Sequence, residues 1–340
     1  MAAELGCNAR YTAHVVDQGG QIVATLDNLS EIEWYRVIND TSTGRAVAMT
    51  DAECCERLGR IRSWRHSLEI FRSGVFVWSG PVIRVQWRQG SVEILANDFT
   101  AWLARRVPHS TYRFDDVDMI SVAETLIDDA FLMHDPGHQV ISLGRSRVSG
   151  ARTYYQGIGH TLDWLVDLSE NGGLDFTSVG QQIILLPDEF ADPVGRLSDT
   201  DLPEGLTVTE DGTEIATRWH VYGRDGSGVY GVSGGIDPYY GLIERSVQDD
   251  SVTTDGSAEQ AARARVLASS SPSVFIDTQE VTLSPEAGVD VSHLIPGWTL
   301  DVTSVSTCRD ITDRLKITGV HARDSDDGER LSVQVGPLAS

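Results

Sequence analysis

Hydrophobic and polar residues alternate along the first third of the chain with a period of two, the repeat of a half-buried strand. Tyr11–Asp17 and Gln21–Asp27 are short alternating runs separated by Gln18-Gly19-Gly20, which reads as a hairpin. Glu31–Ile38 (EIEWYRVI) alternates again. The strongest block is Ser67–Asn97, which reads SLEIFRSG, VFVWSG, PVIRVQWRQG, SVEILAND, punctuated by glycine. Gly74 and Gly90 close Arg72-Ser73-Gly74 and Arg88-Gln89-Gly90, turn sites where glycine supplies a positive φ. Ser79-Gly80-Pro81 is read as a third break, with Pro81 placing an edge or bulge there. The block is expected to form an antiparallel meander that closes into a small barrel, because closure removes open edges. Phe99–Arg106 follows as a short helix with Asp98 as its N-cap, its Trp102 and Leu103 placed to cover the barrel mouth.

The period then changes. Ser121–Met133 (SVAETLIDDAFLM) puts Val122, Leu126, Ala130 and Met133 on one helical face, with Ser121 and Glu124 spaced as a capping box. Thr161–Glu170 repeats the pattern with Leu162, Leu165, Val166 and Ser169, and Asn171-Gly172-Gly173 follows as a stop signal. Gly173–Pro187 reads as a hairpin.

Strand patterns return after residue 213. Glu214–Gly223, Val274–Leu283 and Trp298–Val305 read as strands, Gly226–Gly235 as a loop and Ser257–Ser269 as an Ala-rich helix. Leu294-Ile295-Pro296-Gly297 is a turn site ahead of Trp298. The chain closes on a long hairpin, Arg314–Arg323 and Glu329–Val335, turning through Asp324-Ser325-Asp326-Asp327-Gly328. The expected fold is therefore mainly β with an α+β insert. It has a first β-barrel domain over residues 1–113, an α+β domain over 114–205, and a second β-barrel domain with one helix over 206–340.

Composition changes this picture little, but charge adds to it. Of 340 residues, 41% are hydrophobic and 23% charged, ordinary for a globular chain with a sizeable core. The net charge is -23, which speaks against general affinity for nucleic acid. Residues 1–113 hold 13 Arg against 12 acids, whereas residues 114–340 hold 14 basic groups against 38 acids. Lys316 is the only lysine. No run is long and apolar enough to span a bilayer, and Met1–Val16 lacks the pattern of a signal peptide, so the chain is expected to begin in a cytoplasm. Cys7, Cys54, Cys55 and Cys308 show no metal-knuckle spacing and are read as free thiols, mostly packed.

Candidate chemistry is weak. Gly231-Val232-Ser233-Gly234-Gly235 matches G-x-S-x-G, but that motif needs a strand before and a helix after it, and Ile236-Asp237-Pro238 follows. It is read as a flexible loop. His134 and His138 are spaced like metal ligands on a helix, yet Pro136-Gly137 between them forbids the helix, so a polar turn is expected. His160 and Asp163 read as a surface pair, and adjacent Asp128 and Asp129 point about 100° apart on a helix. Asp324–Glu329 is too short for a calcium loop and is read as a solvated turn. No catalytic residue, cofactor or metal is expected. Most of the tryptophans, among them Trp34, Trp78, Trp87, Trp219 and Trp298, are expected in the core, with one or two left for an interface.

Three segments together resemble tail-hub proteins of siphophages that infect actinobacteria. They are Glu69–Pro81 continued through Asn97–Arg106, Thr161–Phe176 (TLDWLVDLSENGGLDF), and Leu294–Trp298 followed by Leu315–Val320 and Asp326–Leu331. They occur in the family's order and span nearly the whole chain. The resemblance implies a hub like that of contractile-tail baseplates, in which two barrels per subunit and three subunits build a ring matched to a six-fold tube. It implies a homotrimer in the virion tail tip, assembled in the host cytoplasm, with the distal tail protein above and a fibre or spike protein below. The tape measure protein is a further expected neighbour. Related hubs carry a C-terminal peptidase or lysin domain, which is not expected here. Genome DNA would pass through the ring without sequence-specific binding, and Asp324, Asp326, Asp327 and Glu329 are candidate acids facing that channel. Two other readings remain: a receptor- or glycan-binding tail module with exposed aromatics near Tyr230–Tyr240, and a hydrolase using Ser233 or clustered carboxylates.

Overall fold

The computed structural model describes residues 10–26, 28–50, 56–170, 173–202, 205, 208–249, 253–269, 273–276, 281–284, 287–305, 308, 310–326, 328–336 and 338. Contacts gather the chain into two compact units, Met1–Leu206 with Thr278–Ser340, and Thr207–Asp277. The protein is mainly β, as its alternating patterns imply.

The larger unit is built on a 12-stranded sheet. Several of its strands bury every second residue. In His66–Arg72, for example, His66, Leu68, Ile70 and Arg72 turn inward while Ser67, Glu69 and Phe71 do not. The meander read from Ser67–Asn97 is present, with one difference. Val75–Arg88 is a single unbroken strand of 14 residues. Its first half pairs with His66–Arg72 and its second half with Ser91–Asn97, with a register slip between Val82 and Arg84. Gly80 and Pro81 are therefore not turn residues. Pro81 sits where the strand exchanges one partner for the other, and a missing N–H is tolerated at such a bulge. Gly80 is glycine because a Cβ there would lie 1.8 Å from the Asn97 carbonyl oxygen. Gly74, Gly90, Gly297 and Gly328 do adopt the left-handed conformation their turns demand, with φ between 80° and 97°.

The two β regions are joined. Strand Ile311–Ser325 pairs along one edge with Thr299–Ser304 and then with Leu29–Val37, and along the other with Gly328–Gly336. The described sheet runs from Pro193–Ser198 through these strands to Ile22–Leu26. This is why the compact units differ from boundaries drawn at 113 and 205. Residues 278–340 belong with the first third through the Val37–Ile32 ladder opposite Gly319–Asp324. The segment that stands apart is Thr207–Asp277.

The α+β segment packs onto this sheet through its own core. Helix Met119–Phe131 buries Ile120, Val122, Ala123, Leu126, Ile127 and Ala130 on a continuous face. Its cap lies three residues earlier than the capping-box spacing suggested, because Asp118 rather than Ser121 takes it and accepts from Ser121 N at 3.2 Å. Glu124 accepts instead from the Ser142 hydroxyl. Met133, expected on the buried face, lies beyond the helix and is exposed. Helix Thr161–Glu170 buries Leu162, Leu165 and Leu168. Leu168 replaces Val166 and Ser169 as the third anchor. Both helices pack with strands Asp175–Val179 and Gln182–Leu186. Phe99 and Leu103, from the short 3-10 helix Phe99–Arg105, fill this same core. The helix expected to cover a barrel mouth therefore joins the sheet to the insert, with Asp98 capping it as expected through Thr100 N at 3.0 Å.

The smaller unit holds a three-stranded sheet, Tyr230–Gly234, Arg218–Tyr222 and Glu244–Gln248, with helix Asp255–Ser269 on one face, and a short antiparallel pair, Val208–Asp211 with Ser273–Ile276. Ala258 and Ala262 pack on Val221. Small residues let the helix approach closely. A Cβ at Gly231 would lie 2.3 Å from the Glu259 nitrogen. Tyr230–Gly234, read from sequence as loop, is a strand here.

Two glycines separate packing from backbone strain. Gly80→Ala should lose about 3 kcal/mol or more in urea denaturation, since backbone must move to admit the methyl. Gly74→Ala, left-handed but in open space, should lose only about 1–2 kcal/mol.

Candidate functional site

The side chains that chemistry would need are spread apart. Ser233 lies inside strand Tyr230–Gly234, opposite Trp219, and no helix follows it, so the nucleophile-elbow geometry is absent there. Asp135 forms the expected polar turn, accepting from Gly137 N at 2.7 Å and His138 N at 2.8 Å. His138 stacks on Phe131, while His134 lies against Arg106. His160 and Asp163 are an exposed pair 3.4 Å apart. Asp128 is exposed, whereas Asp129 is buried and accepts from His109 N at 2.6 Å and the Tyr112 hydroxyl at 2.8 Å. Among the described residues no three His, Cys, Asp or Glu side chains gather as metal ligands, and no helix is long and apolar enough to cross a membrane. Cys308 is an exposed free thiol, and the other three cysteines lie outside the described residues.

What the larger unit does concentrate is buried polar ties between distant parts of the chain. Arg72, fully buried, donates from Nε and Nη2 to the two carboxylate oxygens of Glu329, both at 2.7 Å. The Tyr11 hydroxyl donates to the same carboxylate at 2.7 Å. Burial, reinforced by the Glu329 charge, holds that hydroxyl proton well above the ordinary tyrosine range. The candidate channel acid Glu329 is therefore engaged inside the protein. Asp324 faces it across the hairpin, and burial followed by the Glu329 charge raises its carboxyl above the usual range. Asp326 is exposed, and Asp327 lies outside the described residues.

Arg36 makes the second tie. It is buried, its Nη1 donating to Ser292 O at 3.2 Å and Leu294 O at 3.0 Å, and its Nη2 to Val77 O. Burial lowers its pKa to about 10. The Trp34 ring lies 5.4 Å from the guanidinium. Lys316 makes the third. Its ammonium reaches Asp175 at 2.6 Å and also donates to the Asp188 carbonyl. Asp175 in turn accepts from Asn39 Nδ2 at 2.7 Å, and Asn39 pairs with the Phe176 backbone through its own N–H and Oδ1, both at 2.8 Å. Asn39 holds φ at 59°, a conformation asparagine tolerates better than most residues. Nothing in the local spacing of Arg36, Arg72 or Lys316 announces these partners, which lie more than 100 residues away in each case but one.

The solvent side of the sheet carries a ladder of alternating charge. Arg323 meets Glu31 at 2.9 Å, Glu31 meets Arg45 at 2.7 Å, Arg45 meets Glu93 at 2.7 Å, and Glu93 meets Arg88 at 3.0 Å. The Arg45 hydrogen bond holds the Glu93 carboxyl below its usual range. Exposed aromatic and aliphatic side chains gather in the smaller unit, where Ile236 and Tyr239 are 80% and 86% exposed and Tyr222 lies 5.0 Å from Tyr230. Trp87 is the half-exposed tryptophan of the sheet, while Trp34 and Trp78 are core.

No family model matches the chain, and no curated protein is similar to it in sequence. Solved structures are similar along nearly its whole length. The 43 kDa tail protein of prophage MuSo2 from Shewanella oneidensis superposes with a TM-score of 0.61 at 13% identity, covering 96% of this chain and 98% of that one. The tail protein from Neisseria meningitidis MC58 gives 0.57 at 15% identity, covering 96% of each chain. The Escherichia coli c3393 protein gives 0.52 at 12% identity, covering 92% of this chain and 74% of that one; it is described as a type VI secretion component structurally similar to the T4 tail proteins gp27 and gp5. The fold is thus the mainly β fold of phage tail and baseplate proteins.

The Arg72–Glu329 pair is testable by a double-mutant cycle. Glu329→Gln should cost about 3–5 kcal/mol in chemical denaturation, because it leaves a buried guanidinium without its counter-charge. Adding Arg72→Met should recover most of that loss, since the double variant buries no lone charge.

Proposed function

We propose that the chain is a structural subunit of a bacteriophage tail, acting as a hub in the tip of a long, non-contractile tail. The observation that supports it is the fold similarity to phage tail proteins over 96% of the chain, with 98% of the Shewanella protein matched in return. In this reading the chain forms a homotrimeric ring between the distal tail protein and a fibre or spike protein, with the tape measure protein beside it during assembly. The type VI secretion protein in the same fold group, with its likeness to gp27 and gp5, supports the same placement. The actinobacterial siphophage resemblance of Glu69–Pro81, Thr161–Phe176 and Asp326–Leu331 narrows the reading to a non-contractile tail.

The acidic balance then has a use. DNA sliding through the ring would meet unpaired acids and be repelled rather than held. Of the four hairpin acids, Asp326 is the exposed one among the described residues, and Glu329 is excluded from that role by Arg72.

The reading is tested by the mass of the purified protein in solution across concentrations, by light scattering or mass photometry. A species three times the mass of the 340-residue chain is expected, with a central hole when imaged. A monomer that persists at high concentration and after mixing with the cognate distal tail protein would overturn it.

A further inference from the structure

One face of strands Tyr11–Asp17, His66–Arg72 and Val75–Arg88 is not covered by the core. It floors a cleft of about 310 Å3 inside the larger unit. The floor is set by strand register, with Glu69 opposite Ser79 and Val16 opposite Ser67. Trp64 and Trp102 form one corner, their ring centroids 5.0 Å apart and their planes at 65°. Arg65 and Gln181 come from two separate loops to the rim.

Trp64 itself is unusual. Its backbone sits at φ 63°, a left-handed conformation that a bulky side chain rarely adopts, and its N–H donates to Val82 O at 2.8 Å. Strained residues of this kind concentrate at binding sites, where surrounding structure holds them in place. Here the strain delivers the indole to the cleft wall.

We propose that this cleft binds a neutral saccharide of roughly one or two rings, stacked against the tryptophan corner and hydrogen-bonded to Glu69 and Arg65. Each part of the lining argues for that class. Arg105 lies over the Trp64 ring at 5.8 Å and Arg106 over the Trp102 ring at 5.7 Å, so the apolar surface that the C–H face of a sugar ring covers is the remaining face and edge of each indole. Glu69 accepts, Arg65 donates, and Ser67, Ser79 and Gln181 do both, which suits hydroxyls that must do both themselves. Charge selects against the alternatives. A phosphate or nucleotide would want several cations in the lining, and the lining offers Arg65 against Asp17 and Glu69, while Arg105 and Arg106 are engaged over the tryptophan rings. An acyl chain would want an apolar lining throughout, and this one carries Asp17, Ser67, Glu69, Ser79 and Gln181. Burial raises the Glu69 carboxyl above its ordinary range. The proposal goes beyond the hub reading and does not require ring assembly.

Saturation-transfer-difference NMR on the full chain, with lactose, maltose and N,N′-diacetylchitobiose as the probes, decides it. Transfer to ring C–H protons of at least one probe is expected, with a dissociation constant of about 1 mM, as befits a small polar ligand. Glu69→Gln, isosteric on the floor, and Arg65→Ala, exposed at the rim, should each weaken that binding about fivefold or more while the near-ultraviolet circular dichroism stays unchanged. No transfer from any of the three at millimolar concentration overturns the proposal, as does transfer that survives both substitutions. Either result leaves the mass measurement, and with it the hub reading, to stand or fall separately.

Discussion

A guanidinium buried in the first third of the chain has its counter-charge 257 residues away, on the last hairpin. Arg72 and Glu329 meet through two parallel hydrogen bonds, the geometry that gives a guanidinium and a carboxylate both strength and direction. Net stability is the smaller part of what the pair contributes, since desolvating two charges offsets much of their attraction. The larger part is register. A one-residue slip of a strand turns every side chain to the opposite face. A slip of Gly328–Gly336 would carry Glu329 away and cost Arg72 its bidentate counter-charge. The alternative pairing is thus penalised far more than the native one is rewarded.

The other two ties act by the same logic at different joints. Arg36 satisfies three carbonyls at once, including those of Ser292 and Leu294 in the irregular segment before Thr299–Ser304. That segment has few ladder partners of its own, and a buried carbonyl without one is costly. Lys316, Asp175 and Asn39 join the last long strand, the α+β segment and the end of strand Leu29–Val37. Each tie crosses a boundary that composition alone would place between domains. Within the larger unit, residues far apart in sequence are thereby tied into one core.

Local patterning made most of the elements legible. Period-two alternation placed Tyr11–Asp17, Ser91–Asn97 and the closing hairpin, and period 3.6 placed both insert helices, because burial on one face is written directly into neighbouring residues. Where reading failed, a distant partner decided. Ser79-Gly80-Pro81 looks like a turn, but the strand continues because two different strands receive its two halves. Tyr230–Gly234 looks like a Gly-rich loop, but its glycines admit helix Asp255–Ser269 and the Thr217 carbonyl at close range. The joined sheet was hidden for the same reason, since the pairing of Ile311–Ser325 with Leu29–Val37 has no signature in either segment alone. The cleft at Trp64 was also out of reach. Its two tryptophans sit 38 positions apart, and the left-handed backbone at Trp64 follows no glycine or asparagine cue.

Charge is distributed with the same division between sheet and loop. On the sheet, acids alternate with arginines from Arg323 through Glu31, Arg45 and Glu93 to Arg88, so that surface is close to neutral. Exposed acids also lie on turns, loops and the last turns of helices, such as Asp128, Asp225, Asp310 and Asp326. A chain with a net charge of -23 repels its own copies at long range, but salt near 0.15 M confines that repulsion to about 8 Å. Copies can therefore approach wherever the contact surface is itself balanced. The paired sheet face meets that condition and the acid-bearing turns do not. A ring built from this chain would turn its balanced surfaces toward neighbouring subunits and its acidic turns toward water or toward a polyanion that must not adhere.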